Sequence, residues 1–349
     1  MSLIKVKGRG AENLGRRNLL YNGAMQVAQR GTSFAETTAA SYTLDRWLRA
    51  VGSSFNFDTT ITQSTDVPSG EGFKYSLKVE CDTVVTPSGS DNAGIGQRLE
   101  GHDFQHLCYG TSSAKSVVLT FWTKSNKTGT YCVQFATNHG NSDATNRYSF
   151  VREYTINTAN TWEKKTLTVP GLTTQNIETT NTEGYRVKWW LAVGGDDTTT
   201  ADAWQQSASY LATSNQVNFM DNVNNEWYLT GCQLEVADTA SPFEHRSYND
   251  ELTLCQRYFQ LHENIQMAAY VNAAYRRAES YFALPAEMRA NPSVNTLTTG
   301  NSSNIRSPAT TYAGIQMAVS KGGANVHMES NGSGYMYING RKQSLDAEL

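Results

Sequence analysis

The feature that most constrains the fold of this chain is an alternation of apolar and polar residues with a period of two. It runs through residues 75–80, 117–121 and 187–193, and clusters of Gly, Asn, Ser and Thr separate such runs. A period of two indicates strands with one buried and one solvated face, as in antiparallel sheets. Short strands separated by turn residues are typical of a sandwich or jelly roll. We therefore predict an all-β fold for residues 18–246.

The alternation is interrupted after this region by a short segment with helical periodicity. Ser247 and Asp250 form a capping-box signal, with Asn249 as an alternative N-cap, and apolar residues then recur at three- and four-residue spacing. Strands resume from Leu261, and the pair Asn339-Gly340 predicts a type I′ hairpin turn. The predicted organisation is a basic arm (1–17), a jelly-roll sandwich domain (18–246), a linker helix (247–260) and a second, smaller β domain (261–349).

The charge of the chain argues against nucleic acid or a membrane surface as its partner. The net charge is −3 over 349 residues, so the chain has no general basic field. The basic arm is a local exception, in which five cations face a single acid, Glu12. Such an arm binds nucleic acid or docks on an acidic protein surface, and we favour docking to a larger particle. The five cations are Lys5, Lys7, Arg9, Arg16 and Arg17.

The five cysteines lie far apart, without the C-x-x-C spacing of zinc sites and without a disulfide framework. Their odd number suits a chain that folds in a reducing cytoplasm, where thiols serve as small apolar core residues. The first residues hold no signal-peptide apolar run, and no segment approaches the ~18 apolar residues of a membrane helix. We therefore expect no membrane insertion.

Reactive side chains are concentrated at the boundary between the two predicted domains, in residues 241–260. The preceding run, 227–236, alternates like a closing strand, so Glu244 and Arg246 are expected to form an ion pair at its exit. Cys255 falls on the apolar stripe of the linker helix, where burial keeps a thiol protonated and inert. The segment therefore predicts architecture and not a catalytic site.

Longer stretches of the chain resemble a group of phage virion proteins. GRRNLLYNGAMQVAQRG (15–31) and YTLDRW (42–47) are similar to the opening of these proteins, which include tail fibres, appendages and carbohydrate-binding proteins, especially of marine phages. The resemblance implies a carbohydrate-binding-module-like jelly roll in a homotrimer displayed on the particle, and it does not imply an enzyme. Matches to later parts of the group follow in order at 112–135, 215–260, 284–294 and 346–349.

Aromatic residues and two polar loops form the candidate glycan site, because sugars stack on aromatic rings and pair their hydroxyls with polar side chains. Trp189 runs in register with apolar residues and is predicted to be core, whereas Trp190 faces the other side with Lys188 and is predicted to be more exposed. The loops 138–147 and 194–210 are long and polar, which is uncommon unless a loop is functional. An alternative for Trp204 is that it pins its own loop to the sheet or lies in a trimer interface. The candidate ligand residues are Trp190, Trp204, Tyr210, Asn138, His139, Asp143 and Arg147.

We predict no cofactor and no metal site. His102 and His106 have the i, i+4 spacing of a shared zinc face, but no third ligand is near them in the sequence, and a loop turn is favoured. Structural calcium follows only by analogy with carbohydrate-binding jelly rolls, because no Asp-rich loop has the spacing of a calcium cage.

The sequence holds no catalytic motif of the common kinds: no G-x-S-x-G elbow, no H-E-x-x-H and no P-loop. The predicted function is that of a tail-fibre or appendage protein that recognises host-surface glycans without cleaving them. It would be displayed on the virion exterior as a homotrimer, docked to tail or capsid proteins through the basic arm. The alternative is a head-fibre, decoration or connector protein with a purely structural role.

Overall fold

The computed structural model describes residues 16–36, 40–52, 56–139, 147–271, 276–298, 312–330 and 334–349. Contacts divide the chain into two compact units, the first comprising Met1–Arg246 with Leu349 and the second Ser247–Glu348. No helix within the described ranges is both long and apolar enough to cross a membrane.

Short antiparallel strands build the first unit, joined by turns and by short 3-10 helices at Gly101–Leu107, Gly195–Asp197 and Phe219–Asp221. The strands are β1 (Ser33–Glu36), β2 (Ser41–Tyr42), β3 (Leu48–Gly52), β4 (Thr59–Ser64), β5 (Ser76–Cys81), β6 (Asn92–Glu100), β7 (Val117–Ser125), β8 (Gly129–Thr137), β9 (Tyr148–Ile156), β10 (Glu163–Val169), β11 (Glu183–Val193), β12 (Trp204–Gln206) and β13 (Glu226–Val236).

Over the described ranges these strands form two sheets, a six-stranded one in the order β1-β4-β5-β13-β7-β10 and a seven-stranded one in the order β12-β9-β8-β11-β6-β3-β2. Their inner faces bury aromatic side chains. The ring centroid of Trp189 on β11 lies 5.6 Å from that of Trp47 and 5.5 Å from that of Phe121 on β7. Because β7 and β11 belong to different sheets, these contacts join the two layers. The predicted all-β, jelly-roll sandwich is confirmed, and so is the core position of Trp189.

The seven-stranded sheet also has an outer face, which residues 194–213 partly cover. Asp202 N donates a hydrogen bond to Val151 O at 2.9 Å, which fastens this covering segment to β9. Ala212 packs with Val151 and Cys132 on the same outer face. The segment covers one side of the sheet and leaves a depression over β3, β6 and β11.

Arg17 and Asn18, near the start of the described chain, are bonded to the residues that follow β13. Glu244 Oε2 accepts a hydrogen bond from Asn18 N at 2.8 Å, and Glu244 Oε1 accepts one from Arg17 N at 3.1 Å. Arg246 Nη2 lies 2.9 Å from Glu244 Oε2, which confirms the predicted ion pair at the exit of β13. We name Arg17, Asn18, Glu244 and Arg246 the end clamp.

The second unit begins with helix α1 (Tyr248–Gln256), whose N-cap is Ser247 as predicted: Ser247 Oγ accepts a hydrogen bond from Asp250 N at 3.2 Å. The strands that follow are β14 (Phe259–Val271), β15 (Arg276–Ala283), β16 (Ser293–Thr298), β17 (Tyr312–Val319), β18 (Gly323–Ser330) and β19 (Gly334–Asp346). Within the described ranges they form two three-stranded sheets, in the orders β14-β19-β16 and β15-β18-β17. One small core cluster of this unit consists of Leu284, Met288, Leu345 and Ala347.

The predicted hairpin turn at Asn339-Gly340 is wrong. Both residues lie within β19, which pairs with β14 on either side of them: Ile338 is opposite Met267, and Arg341 is opposite Ile265. Two residues of β19 therefore stand against one residue of β14, which is the arrangement of a β-bulge. A bulge exploits the conformational freedom of glycine as a tight turn does, so the dipeptide alone did not distinguish them.

Candidate ligand-binding cleft

A cleft of about 200 Å³ opens on the outer face of the seven-stranded sheet. Its floor belongs to β3, β6 and β11, and the covering segment forms one side. Asn92 and Arg98 of β6 both line it, and they lie six residues apart, about 20 Å at a rise of ~3.3 Å per residue. Its lining combines apolar side chains with polar and charged ones, among them Leu48, Ala50, Trp190, Leu211, Asn92, Arg98, Arg186, Lys188, Asp197 and Ser209.

Two glycines of β6 make the floor of the cleft flat. In the pairing of β6 with β11, Gly94 lies opposite Trp190 and Gly96 lies opposite Lys188. A Cβ atom at Gly94 would come within 2.9 Å of Trp190 Cε3, and one at Gly96 within 2.6 Å of Lys188 Cγ. The absence of side chains on β6 therefore lets the indole ring and the lysine stem lie across the neighbouring strand.

One end of the cleft brings two arginines together around a carboxylate. Arg186 of β11 is directly opposite Arg98 of β6, a pairing of like charges that is unfavourable by itself. Glu183 compensates it, since Arg186 Nε donates to Glu183 Oε1 at 2.5 Å and Arg98 Nε lies 3.5 Å from Glu183 Oε2. Burial raises the pKa of Glu183, but attraction to Arg186 and then to Arg98 outweighs burial and keeps this pKa below its usual value. Glu183 is therefore ionised and engaged through both of its oxygens.

Lys188 is the cation of the cleft whose charge has the fewest described bonding partners. The residue is only 8% exposed, and its Nζ lies 5.2 Å from the centroid of the Trp190 ring. Across the part of the chain that the structure describes, this ammonium group has no hydrogen bond and no ion pair. Burial, and then repulsion from Arg186 and Arg98, lowers the pKa of Lys188 well below its usual value. A buried and unpaired ammonium is costly to the fold.

Arg147 brings a third guanidinium group near Glu183, because Arg147 Nε donates to Asn138 Oδ1 at 3.5 Å and Asn138 Nδ2 donates to Glu183 O at 3.1 Å. Burial and then repulsion from Arg186 lower the pKa of Arg147, and its charge in turn acts on Glu183 and Lys188. Arg147 is one of the residues that the sequence predicted for the ligand site. We name Arg98, Arg147, Arg186 and Lys188 the cationic corner.

The prediction that Trp190 is exposed is wrong. Trp190 does face the outer side of the sheet, as the alternation predicted, but only 1% of it is accessible. Ala50 and Leu211 pack against it, and the Lys188 ammonium lies over its ring. The indole ring is therefore covered by Lys188 and does not present an open face on which a sugar could stack.

The structure also separates Trp204 from the cleft. Trp204 of β12 is paired with Phe150 of β9, and its ring centroid lies 5.3 Å from that of Phe150 and 6.1 Å from that of Tyr109, two buried residues. Its Nε1 donates to Pro170 O at 2.8 Å. These contacts lie on the face of the sheet opposite to the cleft, and they correspond to the alternative in which Trp204 pins its own loop.

The remaining described loop candidates have different surroundings. Tyr210 is half-buried beside the cleft, where its carbonyl oxygen accepts a hydrogen bond from Gln134 Nε2 at 2.9 Å. Asn138 is buried, and its Nδ2 donates to Glu183 O at 3.1 Å, which ties the end of β8 to the start of β11. His139 is half-buried, and its Nδ1 has no hydrogen-bond partner among the residues described.

Some of the predicted residues lie outside the described ranges, namely Asp143, Lys5, Lys7 and Arg9. Arg16 and Arg17 are described, and both are bonded within the first unit. Arg16 Nη2 donates to Leu19 O at 2.8 Å, and Arg17 Nη2 donates to Pro242 O at 2.7 Å. Their part in docking to a particle stays a prediction.

A zinc face at His102 and His106 does not form. These residues lie in the 3-10 helix Gly101–Leu107, in which side chains three positions apart share a face and those four apart do not. Asp103 between them accepts a hydrogen bond from Tyr21 Oη at 2.6 Å. Within the described ranges no group of three or more His, Cys, Asp or Glu residues is placed to hold a metal ion.

Sequence reasoning missed Arg98, Arg186 and Glu183 as residues of the candidate site. Part of the signal was present, because Arg186, Lys188 and Trp190 alternate along one face of a single strand. The missing information was that β6 is the neighbour of β11, since the two strands are far apart in the chain and their pairing is a long-range property.

No family model matches this chain, and no curated protein matches it in sequence. The enzymatically active domain of tailspike protein 4 from bacteriophage CBA120 aligns over 63% of this chain and 21% of its own, with 13% identity and a TM-score of 0.33. The CBM22-2 xylan-binding domain of Paenibacillus barcinonensis Xyn10C aligns over 55% of this chain and 92% of its own, with 14% identity and a TM-score of 0.30. A family 11 carbohydrate-binding module of Clostridium thermocellum aligns over 62% and 98%, with 13% identity and a TM-score of 0.27. At such TM-scores we base no inference about ligand or activity on these alignments.

Proposed function

We propose that this protein binds a host-surface glycan in the cleft on the seven-stranded sheet, without cleaving it. The observation that carries the proposal is the cleft, which offers about 20 Å of sheet with both apolar and hydrogen-bonding groups. Ala50 and Leu211 supply apolar surface for the C–H faces of sugars. Asn92 Nδ2 donates to Asp197 Oδ2 at 2.9 Å and to Ser90 O at 3.1 Å, so the amide oxygen of Asn92 and the carboxylate of Asp197 supply acceptors for hydroxyl groups.

We further propose that the protein is a phage appendage of the tail-fibre type, and the support for this is the sequence resemblance described above. On this proposal the chain is made in the host cytoplasm and displayed on the virion as a homotrimer, docked to tail or capsid proteins through the basic arm. A trimer has a physical advantage, because linking weak sites raises avidity by about 10²–10⁴ without new contacts. Labelling of intact particles only at capsid lattice points would contradict the tail-fibre assignment.

A glycan array probed with the full chain tests ligand binding, and Ser209→Trp tests the site. Ser209 is exposed on the rim of the cleft, so an indole there narrows the cleft without disturbing the core. We expect Ser209→Trp to weaken glycan binding by about tenfold or more, with an unchanged melting temperature. The recovered oligosaccharides should be intact.

Ser214→Trp is the matched control, because Ser214 is exposed on the next stretch of chain and does not line the cleft. It should bind like the unmodified protein. Failure of every glycan to bind, or full binding by Ser209→Trp, would exclude the proposed function of the cleft.

A further inference from the structure

We propose that the cleft selects an acidic saccharide, and that the cationic corner binds a carboxylate or sulfate group of the sugar. This inference rests on the proposed function of the cleft and names the class of glycan that it takes. It is carried by the charge balance of the cationic corner, by the surroundings of Lys188 and by the position of the corner along the cleft.

The basic side chains of the cationic corner outnumber the acidic groups that act on them. Four basic side chains meet there, and the carboxylate that acts on them is Glu183. Both oxygens of Glu183 are already engaged, one by Arg186 and the other by Arg98. Arg98 Nη1 has a further acceptor in Leu349 O, at 3.0 Å. Glu183 supplies one negative charge against these four basic side chains, so the corner keeps a net positive charge.

Lys188 shows that a counter-charge is missing at one definite place. Its ammonium group is nearly buried, is supported from below by Trp190 and, over the described ranges, has neither hydrogen bond nor ion pair. An ammonium group has three donors, and a carboxylate or sulfate group arriving from the cleft would accept one or two of these bonds. Such charge-assisted bonds are short and strong when they form away from water.

The position of the cationic corner at one end of the cleft predicts how a saccharide would lie. Arg98 and Arg186 are paired at that end. Asn92, which is bonded to Asp197, lies six residues from Arg98 along β6, about 20 Å away. The second end carries a carboxylate and an amide, which suit neutral hydroxyl groups. A chain of sugars lying along β6 would therefore place an acidic residue at the first end and an uncharged one at the second.

The experiment compares acidic oligosaccharides with their own neutral forms. Oligogalacturonate and its carboxyl-reduced form differ only in the charged group, and a sulfated galactan oligosaccharide is compared with its desulfated form. Titration of the full chain should show at least about tenfold tighter binding of an acidic member than of its neutral counterpart. The preference should fall as salt rises, because mobile ions screen the attraction. The two pairs also distinguish a carboxylate ligand from a sulfate ligand.

Two substitutions assign the preference to the cationic corner. Lys188→Met and Arg147→Met should each reduce the affinity for the acidic member about tenfold, with little change for the neutral member. Arg147 is half-buried, so Arg147→Met decides the question if Lys188→Met does not fold. Lys164→Met is the matched control, since Lys164 is exposed on β10 of the other sheet and the same charge is removed there.

The outcomes separate this inference from the proposed function. Equal binding of acidic and neutral members overturns the acidic preference and leaves glycan binding intact. Binding of no saccharide, acidic or neutral, overturns both. Equal binding of a single-stranded DNA oligonucleotide, weakened by the same two substitutions, would also overturn the inference, because the corner would then be a general polyanion site.

Discussion

At the scale of the residue, Lys188 shows a conflict between folding and binding. A chain that gained only stability would place an apolar side chain opposite Gly96, where the lysine stem lies over Trp190. The ammonium group instead has a desolvation cost that attraction to Glu183 offsets only in part. Residues that lower stability in this way are expected at functional sites.

Lys188→Met is therefore expected to stabilise the first unit while weakening binding of an acidic glycan. The substitution keeps an unbranched stem over Trp190 and removes the buried charge, so the free energy of unfolding should rise by about 1–3 kcal/mol near neutral pH. Chemical denaturation measures this difference. A loss of stability would show that the ammonium group is satisfied in the folded protein.

The pH dependence of the stability difference between Lys188→Met and the unmodified protein gives a second test. The folded-state pKa of Lys188 lies below the usual 10.5, so between these two values the unfolded chain binds the proton more readily. The stability gained by Lys188→Met should therefore be full below the folded pKa and should shrink to nothing as pH rises towards 10.5. Glu183, whose pKa is held below its usual value, stays charged over this window.

The alternation of side chains predicted the two neighbouring tryptophans only in part. It correctly assigned Trp189 to the core and Trp190 to the other face, because a strand has a strict period of two. It could not predict the burial of Trp190, which depends on Leu211 from the covering segment and on the stem of Lys188. Those contacts join parts of the chain that no local pattern connects.

At the scale of the element, β12 acts as a fastening for the covering segment. This strand is three residues long, and its Trp204 packs on Phe150 and Tyr109 and donates to the Pro170 carbonyl. So short a strand has little stability of its own. The Trp204 side chain therefore holds it on β9 together with the hydrogen bond from Asp202 N to Val151 O.

Trp204→Ala is expected to destabilise the first unit by about 1–3 kcal/mol, through lost packing and one lost hydrogen bond. Thermal unfolding measures the loss. Because Trp204 lies on the face opposite to the cleft, any protein that remains folded should keep its glycan affinity within about threefold. A complete loss of binding in folded Trp204→Ala would instead restore Trp204 as a ligand residue.

The strands themselves were predictable from local pattern, whereas their neighbours were not. The flat floor of the cleft needs Gly94 and Gly96 of β6 beside Trp190 and Lys188 of β11. In the sequence the two glycines indicate only a weakened strand or a bulge. The same limit explains Asn339-Gly340, whose pattern fits both a hairpin and the bulge that β14 imposes on it.

At the scale of the whole molecule, the end clamp holds the sandwich closed at the point where the chain enters and leaves it. Glu244 is the centre of this clamp, since it accepts from Arg17 N, Asn18 N and Arg246 Nη2. Burial raises the pKa of Glu244, but the bonds from Asn18, Arg17 and Arg246 outweigh burial and lower it below the usual 4.5.

Glu244→Gln should therefore lower the free energy of unfolding by about 1–3 kcal/mol at neutral pH, since charged acceptors form the stronger bonds. The contribution of the carboxylate is present above pH 4.5 and is lost as pH falls through the lower folded pKa. Denaturation curves of the two proteins should converge in acid. If the difference in the free energy of unfolding were the same at all pH values, the effect of the substitution would come from the shape of the side chain and not from its charge.

Because the end clamp joins residues 17 and 18 to residues 244 and 246, tension along the chain would pass through a few hydrogen bonds in parallel. The rest of the sandwich would then bear no tension as long as these hydrogen bonds are intact. A domain mounted in this way keeps its cleft undistorted when one end of the chain is anchored and the other is pulled.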